Sequence, residues 1–420
     1  MSPSSNLYIF ELTLFIAGVV NVLCYVAVSK KVNSWINCFS LYYGSSFVLK
    51  ILLDYLGIAG LIGATSSFRA FLFCHTTYMV EDVTFMLVVC LARPPKLAWL
   101  QTARRPLRIR MAPWVLLIVS YIIYLPVLVV FRGFLLTPRM IYIQTRTGYG
   151  LNFFLSTAMC DCALIVYLFK QDRSKAGFFI FFLAAACLLF WHGSKGAVVL
   201  PLLIFMSYLV HVRDRRFTLT HAAAGGGIAL AMFALSFLLL SNSKEQVSLL
   251  SSMMSFSDYS RNAEMVIDSP PPKYPYLGRL ELEQIIYARI PRLLMPNKPT
   301  VYGQFHLNDY YSPVQFYQDT GAGSYGIGTV YADFGPFSML LLALEQGAAA
   351  YIAIGVLRLL LIQPTPGLFI LLCYLCGMSV IPITESYIFP ETLILGLVID
   401  RCASLPWTLV WRRNALTPGP

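Results

Sequence analysis

Charge is what this chain has least of. Of its 420 residues only 12% are Asp, Glu, Lys or Arg, against about 25% in an average soluble domain. Hydrophobic residues make up 58% and mean hydropathy is +0.68, so a chain built mainly of soluble domains is excluded. Alternation is missing as well. The apolar runs are continuous rather than apolar–polar in turn, which rules out a transmembrane barrel. No internal repeat is visible, which weakens a transporter built from duplicated halves. No basic segment precedes the first apolar run and no small-residue cleavage site follows it, so that run reads as a permanent helix rather than a signal peptide. The ten cysteines lie in or at the ends of apolar runs, and none falls between residues 241 and 335. No disulfide is therefore expected to hold that segment. Cys373 and Cys376 form a C-x-x-C without a second ligand pair, which fits packing residues better than a zinc site.

What is present is a series of apolar runs. They cover residues 7–28, 35–57, 71–92, 114–131, 151–169, 177–191, 197–212, 222–240, 336–361, 367–383 and 388–403. Several reach the roughly 20 residues that span a hydrocarbon core. The reading is an all-α, polytopic integral membrane protein with about eleven transmembrane helices and one long extracytoplasmic loop. Three divisions follow: helices 1–8 in residues 1–240, the loop in 241–335, and helices 9–11 with a cytoplasmic tail in 336–420.

The basic residues orient the series. Lys30 and Lys31, the Arg93–Arg110 cluster, Lys170 to Lys175, Arg213 to Arg216, and Arg401 with Arg412 all fall on one side when the helices alternate. That side is expected to be cytoplasmic, with the N-terminus periplasmic and the C-terminus cytoplasmic. The net charge of +11 is then a consequence of topology and not a nucleic-acid signal. Within the runs, ionisable residues are few: Glu11, Lys50, Asp54, Glu81, Asp82 and Asp161. Lys50 and Asp54 are spaced to pair within one helix. Glu81 and Asp82 suit either a transport path or a polar bundle core.

The loop is informative because it is rich in aromatics, among them Tyr287, Tyr302, Phe305, Tyr310, Phe316 and Tyr317. Disordered segments are poor in such residues, and rings with polar tips suit a sugar face or a membrane interface. Residues 279–289 read as a short amphipathic helix with Leu280, Ile285 and Ile286 on its apolar face. Beyond it lie Arg289, Arg292 and Lys298, stiffened by Pro291, Pro296 and Pro299. Cations outside the membrane run against the usual bias. They suit an anionic ligand such as pyrophosphate, or lipid head groups. Arg139 and Arg146, seven apart in another outer loop, and Lys195 in the turn His192-Gly193-Ser194-Lys195-Gly196 admit the same two readings. Gly321, Gly323, Gly326 and Gly328 lead to Tyr331, Asp333 and Gly335. This stretch is not a P-loop, since no Gly-Lys-Ser/Thr follows; it reads as a flexible flap. No Asp-x-Asp or His cluster in the loop offers a metal site, so no metal or cofactor is expected. Asp309, Asp319, Asp333 and His306 are its candidate bases.

These features carry a family resemblance. The long loop late in the chain, Ile290-Pro291-Arg292 followed by Met295-Pro296-Asn297-Lys298-Pro299, and the glycine-rich stretch ending in Tyr331, Asp333 and Gly335 resemble the Wzy-type O-antigen and oligosaccharide repeat-unit polymerases. Gly193-Ser194-Lys195-Gly196 resembles a G-S-R-G turn of that family, with Lys in place of Arg. The resemblance implies a GT-C-like membrane glycosyltransferase of the bacterial inner membrane. It would join undecaprenyl-pyrophosphate-linked repeat units into a surface polysaccharide, with membrane lipid around it and a chain-length regulator protein as a candidate partner. It implies a pyrophosphate cradle of Arg139, Arg146, Lys195, Arg289, Arg292 and Lys298. His306, Asp319 and Asp333 are the candidates for the catalytic base. An O-antigen ligase shares the layout and differs in its acceptor. A flippase or transporter of lipid-linked substrate is the alternative from another class.

Overall fold

The computed structural model describes all residues except 1–2, 53, 56–66, 96, 98–111, 146–148, 171–173, 241–257, 291–293, 318–323, 382–387 and 405–420. Among the described residues there are helices and turns but no strand. In chain order come α1 (Pro3–Val32), α2 (Cys38–Phe47, continuing into a π-helical turn Val48–Leu52), α3 (Phe68–Leu91), α4 (Ala112–Val130) and α5 (Pro138–Thr145). Next are α6 (Gly150–Phe169), α7 (Lys175–Trp191), α8 (Lys195–His211) and α9 (Leu219–Leu240). The polar segment contributes α10 (Asp258–Asp268), α11 (Arg279–Tyr287), α12 (Phe305–Tyr311), α13 (Pro313–Tyr317) and α14 (Ile327–Phe334). The chain closes with α15 (Ser338–Ile362), α16 (Pro366–Leu375) and α17 (Phe389–Ser404).

Among the described residues five stretches are long and apolar enough to cross a membrane: Tyr8–Val32, Phe68–Leu91, Pro113–Val130, Gly150–Phe169 and Ile327–Ile362. Local signals mark several helix starts. Asn37 caps α2 in a capping box with Ser40, and Ser67, Ser174 and Thr365 accept backbone N–H groups at the starts of α3, α7 and α16. Each cap satisfies a donor that a helix leaves without an intrahelical partner. Rows of exposed apolar side chains run along α1 (Phe15, Leu23) and α4 (Ile118, Ile122, Val129). Such rows are costly in water and cost nothing in hydrocarbon, because the helical backbone satisfies its own hydrogen bonds. α6 is the interior helix. Its residues Cys160 to Leu168 are all buried, against α4 on one side and α8 and α16 on the other.

Several charged residues within the bundle meet partners on other helices. Lys50 reaches α3, where its Nζ lies 3.2 Å from Glu81 Oε2 and 4.2 Å from the Tyr78 ring. Asn21 donates to Asp82 at 2.7 Å, and His75 Nε2 lies 3.5 Å from Asp54. The intrahelical Lys50–Asp54 pair expected from spacing is therefore replaced by two pairs across helices. The π turn at Val48–Leu52 breaks the α-helical register between the two residues.

Residues near helix ends meet in two sets. In one, Trp35 N donates to Phe217 O at 3.0 Å and Cys38 N to His211 Nε2 at 3.1 Å. In the other, Ser67 hydrogen-bonds the Asp268 carboxylate, and Arg289 reaches Glu391 in the first turn of α17.

The segment expected to be a flexible flap is packed instead. Residues 327–334 form α14, buried against α10. A Cβ on Gly328 would stand 2.8 Å from Ala263 Cα. The glycine is there for close approach of two helices, not for motion. Residues 321–323 of that stretch lie outside the described residues.

Candidate functional site

The polar segment builds its site by docking one short helix on the next. α10 packs on the start of α3, and α14 packs on α10. A small core of Ala70, Cys74, Ala263, Val266, Leu280, Leu307, Tyr325 and Tyr331 joins them. The chain 276–277 then hydrogen-bonds α14, with Tyr276 N donating to Ala332 O at 3.0 Å and Leu277 N to Asp333 O at 2.8 Å. The buried Asp333 carboxylate accepts Leu280 N at 3.0 Å and Glu281 N at 2.9 Å. It thus caps the N-terminus of α11, where the helix dipole also favours a negative charge.

α11 carries the centre of the arrangement. Glu283 Oε1 accepts Arg279 Nε at 2.6 Å. Its other oxygen meets Gly303 N at 3.0 Å and His306 Nε2 at 2.8 Å. Burial alone would raise the Glu283 carboxyl; these three hydrogen bonds outweigh it and hold the group below its ordinary value. Tyr276 stacks on the His306 ring at 6.1 Å. In the neutral imidazole, Nε2–H donates to Glu283 and Nδ1 is the proton-accepting nitrogen. Carboxylate, imidazole and ring stack together fix that orientation.

Cations flank this pair. Arg289 presents a fork to Glu391 on α17, through Nε and through Nη2 at 3.2 Å, while Nη1 donates to Ile285 O at 2.7 Å. The proline-rich turn folds back on α11, so that Lys298 Nζ donates to Ile290 O at 3.2 Å and sits 4.7 Å over the Tyr302 ring. Arg289 and Lys298 are thereby brought to one corner. Rings run away from it: Tyr287–Tyr302 at 5.6 Å, Tyr302–Phe305 at 4.9 Å, Phe305–Phe316 at 5.5 Å and Phe316–Tyr317 at 5.1 Å. Tyr317 donates to Asp309 at 2.8 Å. The apolar face expected on α11 is split: Leu280 is buried, whereas Ile285 and Ile286 are exposed.

The turn before α8 meets α5 at Arg139. Gly193 sits at φ +64°, and a Cβ there would stand 2.1 Å from Pro138 O. Only glycine lets the turn abut the residue before Arg139. Arg139 lies 4.7 Å over the Tyr142 ring. Lys195 begins α8 two residues beyond Gly193. The turn is anchored by buried His192, which contacts Leu188 O at 2.7 Å and Ser156 Oγ at 3.1 Å and stacks on Tyr124 at 4.1 Å. Arg146, Arg292 and Asp319 lie outside the described residues, as does the side chain of Lys195. Among the described residues no group of three or more His, Cys, Asp or Glu is arranged to hold a metal ion.

Glu283 and Glu391 were not singled out from sequence. Arg279 and Glu283 stand at i and i+4, a readable signal. Glu391 is 102 residues from Arg289 and gave none.

No protein-family model matches the chain, and no solved structure matches it. Two curated relatives do. The chain is 31% identical over 340 residues to a protein named O-antigen polymerase from Salmonella typhimurium, covering 80% of each chain. It matches an O-antigen polymerase from Salmonella typhi with the same identity and coverage.

Proposed function

Because the chain belongs to the O-antigen polymerase family, we propose that it joins lipid-linked oligosaccharide repeat units into O-antigen as a multi-pass enzyme of the inner membrane. The acceptor is the terminal sugar of one lipid-linked unit. The donor is a glycan on undecaprenyl pyrophosphate. The acceptor hydroxyl oxygen attacks the donor's anomeric carbon, a glycosidic bond forms, and the carbon–oxygen bond to pyrophosphate breaks. The hydroxyl proton passes to a base, and the lipid pyrophosphate leaves with the bonding pair. A single displacement of this kind inverts the anomeric centre.

His306 is the base in this reading. The observation that carries the assignment is its 2.8 Å contact with Glu283, which orients the imidazole and stabilises the imidazolium that forms. Asp333 takes the role of a helix cap, since both of its oxygens are engaged by backbone N–H groups. Arg289 and Lys298, with Arg139, Arg146, Lys195 and Arg292 as further candidates, stabilise the leaving pyrophosphate. Fixed cations in a partly dry site act most strongly where charge develops. The ring series from Tyr287 to Tyr317 offers apolar faces with polar tips to the glycan.

We further propose eleven membrane crossings in a GT-C-like arrangement, with residues 241–335 and the N-terminus periplasmic. The two sets of paired residues near helix ends support it, because each set is what strict alternation puts on one face.

A glycan gel from cells lacking the protein tests the function. The expected outcome is single repeat units in the null strain, a ladder with wild type, and no ladder with His306→Ala at normal membrane levels. An intact ladder in the null strain overturns the reading.

A further inference from the structure

A cavity of about 570 Å³ opens between the polar segment and the first turn of α15, within the roughly 300–1,000 Å³ usual for ligand pockets. Its walls are Tyr274, Leu277, Phe334, Phe337, Leu340 and Leu341, closed by two prolines and a glycine. Tyr274 is held from behind by stacking on Tyr331 at 5.6 Å. At the rim, Leu277 is 79% exposed, Phe337 73% and Leu340 58%. Leu277 also sits at φ +55°, a region that bulky side chains seldom occupy. Its N–H bond to Asp333 O pins it there. The fold thus spends a strained residue to hold a leucine outward at the mouth of an apolar cavity.

We propose that this cavity receives the polyprenyl chain of the lipid-linked substrate, at the end nearest its pyrophosphate. The inference rests on the polymerase reading and adds where its lipid is gripped. Three observations carry it. Apart from the Tyr274 hydroxyl, the walls are apolar aromatic, proline and leucine surface, which matches a bulky methyl-branched hydrocarbon. α15 continues from the cavity wall along the stretch Ile327–Ile362, apolar enough to cross a membrane, so the cavity stands at the end of a membrane-crossing helix. The rim leads directly into α11, which opens with Arg279 right after Gly278 and carries Glu283 at its centre. A chain lying in the cavity ends beside the start of α11, where Arg279 is hydrogen-bonded to Glu283, the partner of His306. A bulk phospholipid has no reason to be retained at that corner; the reaction brings the polyprenyl carrier to it.

Photocrosslinking of the full-length protein tests this. The protein is placed in phosphatidylcholine vesicles containing a small mole fraction of undecaprenyl pyrophosphate. Leu340→p-benzoylphenylalanine reports on the cavity, and Leu183→p-benzoylphenylalanine, on the exposed face of α7, reports bulk lipid. We expect the undecaprenyl share of adducts at 340 to exceed that at 183 by about tenfold or more, the ratio that a 1.4 kcal/mol preference gives. Equal shares at the two positions overturn the proposal. If either variant fails to accumulate, wild-type protein and a diazirine-bearing polyprenyl pyrophosphate give the same reading. Adducts within 274–277 and 334–341 support it, and adducts spread over α1 and α4 overturn it. The glycan ladder is scored separately, so a ladder that depends on the protein together with unenriched crosslinking removes this inference and leaves the polymerase reading standing.

Discussion

At Glu283 one carboxylate holds three donors from three places: Arg279 on its own helix, the Gly303 N–H, and His306 on α12. Replacing it with glutamine keeps the shape and removes the charge that orients and stabilises His306. His306→Ala is expected to lower the polymerisation rate by about 10²–10⁴-fold, the usual worth of a positioned base. Glu283→Gln is expected to lower kcat by less than His306→Ala, with KM for the lipid-linked unit little changed. Turnover by purified enzyme at varied concentrations of the lipid-linked unit checks it. The sign for stability follows from the lowered Glu283 carboxyl. Its contribution is present above the ordinary value of 4.5 and is lost as pH falls through the lower folded value. Protease nicking of residues 294–317 should therefore rise on acidification in wild type, and Glu283→Gln should show no such step. Asp333 separates a cap from a base. Asp333→Asn keeps a capping oxygen and should retain most activity. Asp333→Ala loses the cap, at about 0.5–2 kcal/mol, and should lower the temperature at which the purified protein unfolds. An inactive but stably folded Asp333→Asn would return the base to this residue.

Short helices meet long ones at the Arg289–Glu391 fork, which ties the end of α11 to the first turn of α17. The pair is about one-third exposed, so its direct stabilisation is small, about 0–1 kcal/mol. Its larger effect is geometric: it sets where the cationic corner stands relative to the bundle. The exchange Arg289→Glu with Glu391→Arg tests whether Arg289 only clips or also binds. If it only clips, the double variant restores the ladder that Arg289→Glu abolishes. We expect accumulation in the membrane to return while the ladder stays short, because the cation has moved onto α17. The helix bearing these residues was legible from sequence, since Arg279 to Arg289 carries helix-compatible spacing and a buried Leu280. The packing of α14 was not. Glycines at 326 and 328 read as looseness in one dimension, and only the neighbouring Ala263 on α10 shows Gly328 to be a contact point. Lys50 was misread for a related reason: local spacing proposed Asp54, and a π turn turned the side chain toward α3.

For the whole molecule, apolar runs and basic loops were enough to expect an all-helical membrane chain, because desolvation acts on every residue of a run and leaves a strong one-dimensional signal. The site was only half legible. The candidate cations Arg289 and Lys298 and the candidate base His306 stand out in sequence by being charged or polar where apolar or neutral residues prevail. Their partners Glu283 and Glu391 come from chain closure that no local pattern records. The same closure bears on topology. Trp35 pairs with Phe217 and Cys38 with His211, while Ser67 pairs with Asp268 and Arg289 with Glu391. A helix inserted or removed between 38 and 67, or between 211 and 268, would move one member of a pair to the opposite face, so the pairs constrain the parity of crossings even where a helix is too short to be counted by hydropathy. A specific-protease site inserted at 214–216 is expected to be cut only in inverted vesicles, and one at 270–273 only in spheroplasts. Cutting of both from one side would remove the crossing expected at residues 222–240 and with it the eleven-crossing arrangement. Cutting of each from the face opposite to that expected would keep the parity and reverse the orientation, placing the His306–Glu283 pair in the cytoplasm, where the lipid-linked acceptor proposed above is not presented.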